Sequence, residues 1–361
     1  MHYKALEMLS KIEKIGFKAY IVGGYVRDYC LGNKSLDVDI CTDATPKDLI
    51  KIFKNAILPK DVYGAVTVKY KNIRFEITTF RKELEYKDRK PIKIEYIGDL
   101  YSDISRRDFT INSLCMDLNG NIIDLFDGRK DIDNKIIKSL GDANNKFYED
   151  PLRILRAIRF ATTLNFDLDK EVIDAIKTNS IYLRKISYDR KKMELNKIFA
   201  SSNIRYGIKL LKDLGISKYL DIDLNDIKYT TDTLGIWAQL KASSKYPFNR
   251  IEKNMIDNIL KMVENKTIGK YDIYKYGLYI SSIAAEILGI NKQVIVKLER
   301  NLPIHSKKDI NITAKEILNI INKEPGIWIT KLYEDLENKI ISGRLKNENS
   351  KIIDYIIRNY V

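Results

Sequence analysis

Only two histidines, His2 and His305, occur in 361 residues, which argues against histidine-based acid–base chemistry and against a His-rich metal centre. Cysteine is almost as scarce. Cys30, Cys41 and Cys115 are odd in number and lack metal-type spacing, and two of them fall inside expected elements as small hydrophobes. A disulfide framework is therefore not expected. No uninterrupted apolar run approaches membrane-spanning length, and the N-terminal stretch through Ile12 reads as an amphipathic helix without a signal peptide's apolar core. The expected address is cytoplasmic, with no membrane partner. The dinucleotide fingerprint G-x-G-x-x-G is missing, which weakens a Rossmann reading of the glycines. No repeat of fixed period stands out either.

What is present supports ordinary folded cores: 45% of the residues are hydrophobic, and the length suits two or three domains. The formal net charge is +14, which favours an anionic partner such as nucleic acid. Residues 1–200 hold 37 basic against 30 acidic side chains and residues 201–361 hold 26 against 19, so the excess is no grafted tail. The lysines sit among many isoleucines and asparagines, a bias that AT-rich coding also produces, and charge alone decides little.

The most informative stretch runs from Phe17 to Thr42. Lys18-Ala19-Tyr20-Ile21-Val22 is a short apolar, β-branched run ending at Gly23-Gly24, as a buried strand does when it enters a tight turn. Paired glycines let a triphosphate approach the backbone, and the amides opening the next helix favour negative charge. Arg27, one turn on, offers a forked donor for phosphate oxygens. In the next strand, Leu36 to Cys41, alternation puts Asp37 and Asp39 on one face and Val38 and Ile40 on the other. Two carboxylates side by side call for a cation, and Mg²⁺ with nucleotide phosphates completing its shell is the natural candidate. Each piece alone has a bland reading, as a plain α/β turn or a solvated strand face. Together at this spacing they describe a metal-dependent nucleotidyl-transfer site.

Residues 1 to about 125 alternate helix and strand: helices 2–15, 25–31 and 46–54, and strands 18–22, 36–41, 65–70, 73–80, 113–118 and 121–125. Helical periodicity then takes over, with helices from Asp150 to Leu164, Lys170 to Thr178 and Ser187 to Ala200, and no convincing sheet from Asn203 onward. The charged, proline-bearing stretch from Arg81 to Pro91 is expected to be a mobile loop beside the site. Scattered lysines and tyrosines in 226–270 and 305–361 suit contact with a phosphate backbone, or else a plain soluble helical surface.

Two further segments bear on the substrate. Ser105-Arg106-Arg107-Asp108-Phe109-Thr110-Ile111-Asn112 sets adjacent arginines before an acid and an asparagine, suited to holding triphosphate and ribose with Asp108 fixing an arginine or a sugar hydroxyl; a salt-bridged helix start is the alternative. In Glu149-Asp150-Pro151-Leu152-Arg153, the acid and the arginine are three apart at a helix start, and Arg156 and Arg159 continue the row. Such a stripe is either a solvated face or is aimed at phosphates. Cytosine and adenine both present an amino donor beside an acceptor nitrogen, whereas guanine and uracil present the reverse. A carboxylate beside a guanidinium therefore suits C and A and opposes G and U, at roughly 1–3 kcal/mol for a good bidentate base contact.

These motifs, with Asp127-Gly128-Arg129-Lys130-Asp131 and Ile186-Ser187-Tyr188-Asp189-Arg190-Lys191-Lys192-Met193-Glu194, resemble in order those of the class II tRNA nucleotidyltransferase (CCA-adding enzyme) and bacterial poly(A) polymerase family. The resemblance covers residues 15–200. It implies an α+β chain: a nucleotidyltransferase-type α/β head with a small mixed sheet (1–135), then an all-helical neck (136–200), body (201–270) and tail (271–361), the last two holding tRNA. By it, Asp37 and Asp39 bind Mg²⁺, and Gly24, Arg27 and Arg107 hold triphosphate and sugar. Asp150 and Arg153 select the base, with Arg156 and Arg159 in support. Glu76 either completes a carboxylate trio or is a structural strand acid, and Arg190 and Glu194 form a neck-stabilising pair.

The expected activity is template-independent addition of C, C and A to the tRNA 3′ end from CTP and ATP, with no obligate protein partner evident. A-adding enzymes and poly(A) polymerases share the catalytic residues, and a non-catalytic RNA-binding relative would lack the metal ligands. The full-length stretch 83–91 after the third strand favours an enzyme able to add A.

Overall fold

Helix α1 (His2–Glu13) buries Ala5, Met8, Leu9 and Ile12, the three-and-four spacing that packs one helical face against a sheet. In the computed structural model residues 2–35, 37–59, 64–87 and 90–361 are described; Leu36, expected to open a strand, lies outside them. The chain divides into two compact units, 1–221 and 222–361.

In the first unit, strands β1 (Ala19–Val22), β2 (Val38–Thr42), β3 (Ala56–Ile57), β4 (Ala65–Tyr70) and β5 (Ile73–Thr79) are interleaved with helices α2 (Gly24–Cys30) and α3 (Pro46–Ile52). Thr45 and Asp48 cap α3 reciprocally, and Pro46 occupies its first turn. Strands β6 (Arg81–Lys87) and β7 (Lys90–Tyr96) precede α4 (Leu100–Ser105), β8 (Cys115–Met116), β9 (Ile122–Ile123) and α5 (Gly128–Asp133). Then come β10 (Ile136–Ile137), α6 (Ala143–Glu149), α7 (Leu152–Leu164), β11 (Asp167–Leu168), α8 (Lys170–Asn179), α9 (Tyr188–Phe199), α10 (Ile204–Asp213) and α11 (Ser217–Leu220).

Seven strands form one mixed sheet in the order β3-β4-β5-β2-β1-β8-β9. Within it β2 and β5 run parallel and the remaining neighbours antiparallel. The core lies on the faces that the strands bury: Ile21 and Val22 of β1, Ile40 and Cys41 of β2, Val66 and Val68 of β4, and Phe75 and Ile77 of β5. Cys41 and Cys115 are buried free thiols. A short parallel ribbon, β10 with β11, ties the end of the sheet-bearing region to the turn after α7.

The expected loop 81–91 is instead part of a two-stranded antiparallel ribbon, β6 with β7, running from the pair Arg81 and Tyr96 to the pair Lys87 and Lys90; residues 88 and 89 lie outside the described residues. The ribbon joins no larger sheet. Leu84 and Tyr96 are exposed, and charged residues interrupt the period-two apolar pattern by which strands are read.

The second unit is helical: α12 (Thr233–Gln239), α13 (Arg250–Glu264), α14 (Lys270–Leu288), α15 (Lys292–Arg300), α16 (Ala314–Ile321), α17 (Ile327–Ile341) and α18 (Asn349–Tyr360). Ala238, Ile259, Met262, Ile283 and Ala284 make one of its cores, and Ile317, Leu332, Leu336, Ile340, Ile352 and Ile356 another. Among the described residues no helix is long and apolar enough to cross a membrane.

Candidate active site

The turn after β1 is built on Gly23, whose φ of 78° and ψ of −134° an L side chain rarely adopts. It delivers the chain directly into α2, where the Arg27 amide bonds the Gly23 carbonyl at 3.1 Å. A Cβ on Gly23 would stand 3.6 Å from Arg107 Nη1, and one on Gly24 3.6 Å from Arg27 Nη2, so both expected phosphate-binding arginines lie against the glycine turn.

Asp37 is exposed just ahead of β2, and Asp39 is the one exposed residue within that strand. The parallel register sets Asp39 opposite Glu76 of β5. Burial among its neighbours, then the charges of Glu76 and Asp37, push the Asp39 carboxyl above its usual range, while Arg107 pulls it down. Glu76 thus stands as the third carboxylate near Asp39. Among the described residues no three His, Cys, Asp or Glu side chains converge into a complete metal cage. The donor set nonetheless fits a hard divalent cation: carboxylate oxygens only, near enough to one another that Glu76 and Asp37 push the Asp39 carboxyl up.

The arginine side is assembled differently. Arg27, 9% exposed, donates to Asp28 Oδ1 through Nε (3.0 Å) and Nη2 (2.7 Å) and to Asn112 Oδ1 through Nη1 (2.8 Å). Asn112 in turn donates to Asp108 Oδ1 at 3.4 Å. The other Asp108 oxygen takes Arg156 Nε at 2.7 Å and Nη2 at 2.5 Å. Burial alone would raise the Asp108 carboxyl, but Arg156 and Asn112 outweigh it and hold it below the usual carboxylate range. A hydrogen-bonded chain therefore runs from α2 through the 105–112 segment to α7. Asp103, fully buried on α4, accepts Arg106 Nη2 at 2.7 Å, Arg107 Nη2 at 3.4 Å and the Arg81 amide at 3.2 Å. Among the described residues the buried Arg107 Nε has no hydrogen-bond partner.

The helix expected from Asp150 begins at Leu152. Asp150 is extended, closing α6, and its carboxylate accepts the Leu152 amide at 3.2 Å, because Pro151 has no N–H to continue α6. Arg153 Nη1 donates to Glu149 Oε2 (3.1 Å) and to the Lys146 carbonyl (3.0 Å). Arg159 Nε lies 2.7 Å from Glu194 Oε2, close but not aimed along the N–H, and Lys197 flanks the same carboxylate at 3.7 Å. Glu194 thus pairs with Arg159 rather than with the expected Arg190, since the packing of α7 on α9 brings them together. The arginine row on α7 is not a bare cationic stripe; each member meets its own acid. Burial lowers the affinity of Arg159 for its proton, with Arg156 and Arg27 adding to the effect against Glu194.

Phe160, buried on α7, has the guanidinium carbons of Arg159, Arg27 and Arg156 at 4.0, 5.3 and 5.6 Å from its ring centre. Neither Phe160 nor Asp103 was singled out in the sequence, and Asp28, which closes the motif Gly23-Gly24-Tyr25-Val26-Arg27-Asp28, was given no role of its own. Asp103 had a signal, standing three and four residues before Arg106 and Arg107 in a helix. Phe160 had none, since an apolar residue in an amphipathic helix reads as core.

Residues 19–138 match the family model described as the poly(A) polymerase head domain. Residues 165–224 match one described as a probable RNA- and SrmB-binding site of polymerase A, and residues 238–356 match a putative tRNA nucleotidyltransferase domain 2. The head and its site are those of a nucleotidyltransferase. A CCA-adding enzyme of Staphylococcus haemolyticus is 33% identical, covering 99% of this chain and 98% of its own, and one of Staphylococcus aureus is 32% identical over 98% and 97%. The crystal structure of the Bacillus stearothermophilus CCA-adding enzyme in complex with CTP superposes with a TM-score of 0.87 at 26% identity, covering 99% of this chain and 96% of that one. The chain belongs to the CCA-adding enzyme family, the class II tRNA nucleotidyltransferases. Divalent metal use is general in this family.

Proposed function

We propose that this chain adds C, C and A, without a template, to the 3′ end of tRNA, taking nucleotides from CTP and ATP and releasing pyrophosphate. The observation that carries the reading is the position of Arg107, against the Gly23 turn, near enough to Asp39 to draw its carboxyl down and on the segment that Asn112, Asp108 and Arg156 join to α7. One site thus unites metal-binding carboxylates, phosphate-binding arginines and a base-reading helix.

Asp37 and Asp39 hold the cation, assigned as Mg²⁺, which when bound lowers the pKa of the tRNA 3′-hydroxyl and offsets triphosphate charge. Gly24 keeps the turn open, and Arg27 and Arg107 take phosphate and sugar oxygens in a geometry preset by Asp28, Asn112 and Asp103. No side chain has to act as general base. Asp150 accepts the amino group of C or A while Arg153, its plane set by Glu149, donates to the ring nitrogen; Arg156 and Arg159, further along α7, support them by pairing with Asp108 and Glu194. Residues 1–135 serve as head, 136–200 as neck, 201–270 as body and 271–361 as tRNA-holding tail, in the cytoplasm.

The test is incubation with Mg²⁺ and tRNA ending at the discriminator base, with CTP, ATP or both, resolved at single-nucleotide length. Two additions with CTP and a third only when ATP is present are expected. An ATP-only ladder, or one A added only to tRNA already ending in C-C, moves the assignment to polyadenylation or A-addition.

A further inference from the structure

The carbonyls of four consecutive residues, 105 to 108, are all bound by residues from 140–153. Lys146 Nζ, on α6, donates to the Ser105 carbonyl at 3.0 Å and the Arg107 carbonyl at 3.2 Å. Arg153 Nη2 reaches the Arg106 carbonyl between them at 3.5 Å, and the Leu140 amide takes the Asp108 carbonyl at 3.0 Å. The Lys146 carbonyl closes the loop by accepting Arg153 Nη1 at 3.0 Å. One lysine therefore holds, through its ammonium, the main chain that carries Arg107 and, through its carbonyl, the guanidinium of Arg153. Its half-buried position on the last turn of α6, beside the buried Phe147, fixes where that ammonium can go.

We propose that Lys146 is a positioning residue that locks the triphosphate-holding Arg107 and the base-reading Arg153 into one register, so that phosphate binding and base choice are set together. This rests on the roles given above to those two arginines. Charge-assisted bonds from an ammonium to two carbonyls are strong and short-ranged. Their loss lets the 105–107 backbone and the end of α6 shift independently, and misplacement by an ångström is enough to disturb a bidentate base contact. A residue that only held the fold together would cost stability without changing which nucleotide is preferred.

Lys146→Met, Lys146→Arg and Lys146→Gln are compared with the unaltered protein for kcat and KM with CTP, ATP and UTP, for CTP and UTP binding by calorimetry, and for thermal unfolding. For Lys146→Met, KM for both CTP and ATP rises about tenfold and preference for CTP over UTP falls by a similar factor, with kcat changed less; Lys146→Arg restores most of both. In combination with Arg153→Lys, the losses are less than multiplicative, as for two members of one unit. A folded Lys146→Met that keeps its CTP preference overturns the proposal, as does full multiplicativity with Arg153→Lys. Should Lys146→Met fail to fold, Lys146→Gln, which keeps N–H donors but not the charge, carries the same comparison. If the unaltered protein does not perform CCA addition, the function reading fails, while the calorimetric CTP-to-UTP ratio still reads the register.

Discussion

At one end of the site Asp39 faces Glu76 across two parallel strands with Asp37 close by, whereas at the other Arg27, Arg107, Arg153, Arg156 and Arg159 each lean on an acid of the same chain. Asp39 and Glu76 are placed by backbone register, and the three acids repel one another. The arginines are placed by side chains, mostly half-buried or buried, that neutralise them. Like charges held together stay ready for a counter-ion from outside; opposite charges held together fix direction. The same substitution, Asp to Asn, should therefore have opposite effects on stability at the two ends.

The largest effect is expected for Asp39→Asn. CTP incorporation falls by at least about a thousandfold, the scale on which a principal electrostatic element is lost, while tRNA binding measured by filter retention is unchanged. Persistent incorporation would sink the metal assignment. The folded-state pKa of Asp39 is raised, so its unfavourable contribution is absent below the ordinary aspartate pKa of about 3.9 and grows as pH rises through the folded value. In metal-free buffer at neutral pH Asp39→Asn melts higher than the unaltered protein, and the gap closes in acid. Added Mg²⁺ raises the melting temperature of the unaltered protein but not of the variant.

Asp108→Asn comes next, with the opposite sign. It leaves Arg156 without its carboxylate and costs about 3 kcal/mol at neutral pH by urea unfolding. Asp108 has a lowered folded-state pKa, so its favourable contribution is present above about 3.9 and disappears as pH falls through the lower folded value. A penalty that stays constant into strong acid would mean that the Arg156 pair is not its source. Gly23→Ala is the mildest of the three, costing roughly 1–3 kcal/mol because an L side chain is strained at a φ of 78°, while the added Cβ would meet Arg107 only at ordinary contact distance. An unchanged melting temperature would show that the turn tolerates a side chain.

The acidic end was readable from sequence because its geometry is local: Asp37 and Asp39 stand two residues apart at the entry to one strand, Asp37 just ahead of it rather than within it as expected, and two glycines mark the turn. Glu76 was left open between ligand and strand acid because its proximity depends on β5 pairing parallel to β2, which no local pattern encodes. The arginine end was readable as a set of residues but not as pairs. Arg159 and Glu194 belong to different helices, and the Arg190 partner implied by the family resemblance gave way to the packing of α7 on α9. The ribbon 81–96 escaped because its charged residues and Pro91 break the apolar alternation by which strands are read. Asp150 is displaced from the helix by one short-range fact, the missing N–H of Pro151, which could have been read in advance.

The isolated bridge of Phe109 with Ser139, and the pairing of Asp108 and Thr110 with Leu140 and Lys138, bear on how such a protein is made and varied. The family match for the head stops at residue 138, yet the backbone that presents Arg107 is held by residues 140, 146 and 153. A nascent chain that reaches only residue 138 contains Asp37, Asp39 and Glu76 but lacks Arg156, the partner of Asp108. The nucleotide cradle comes into being only when α7 has been synthesised and has docked. For the same reason heads are not interchangeable cassettes: a head transplanted between relatives would have to bring the stretch from 140 to about 160 with it.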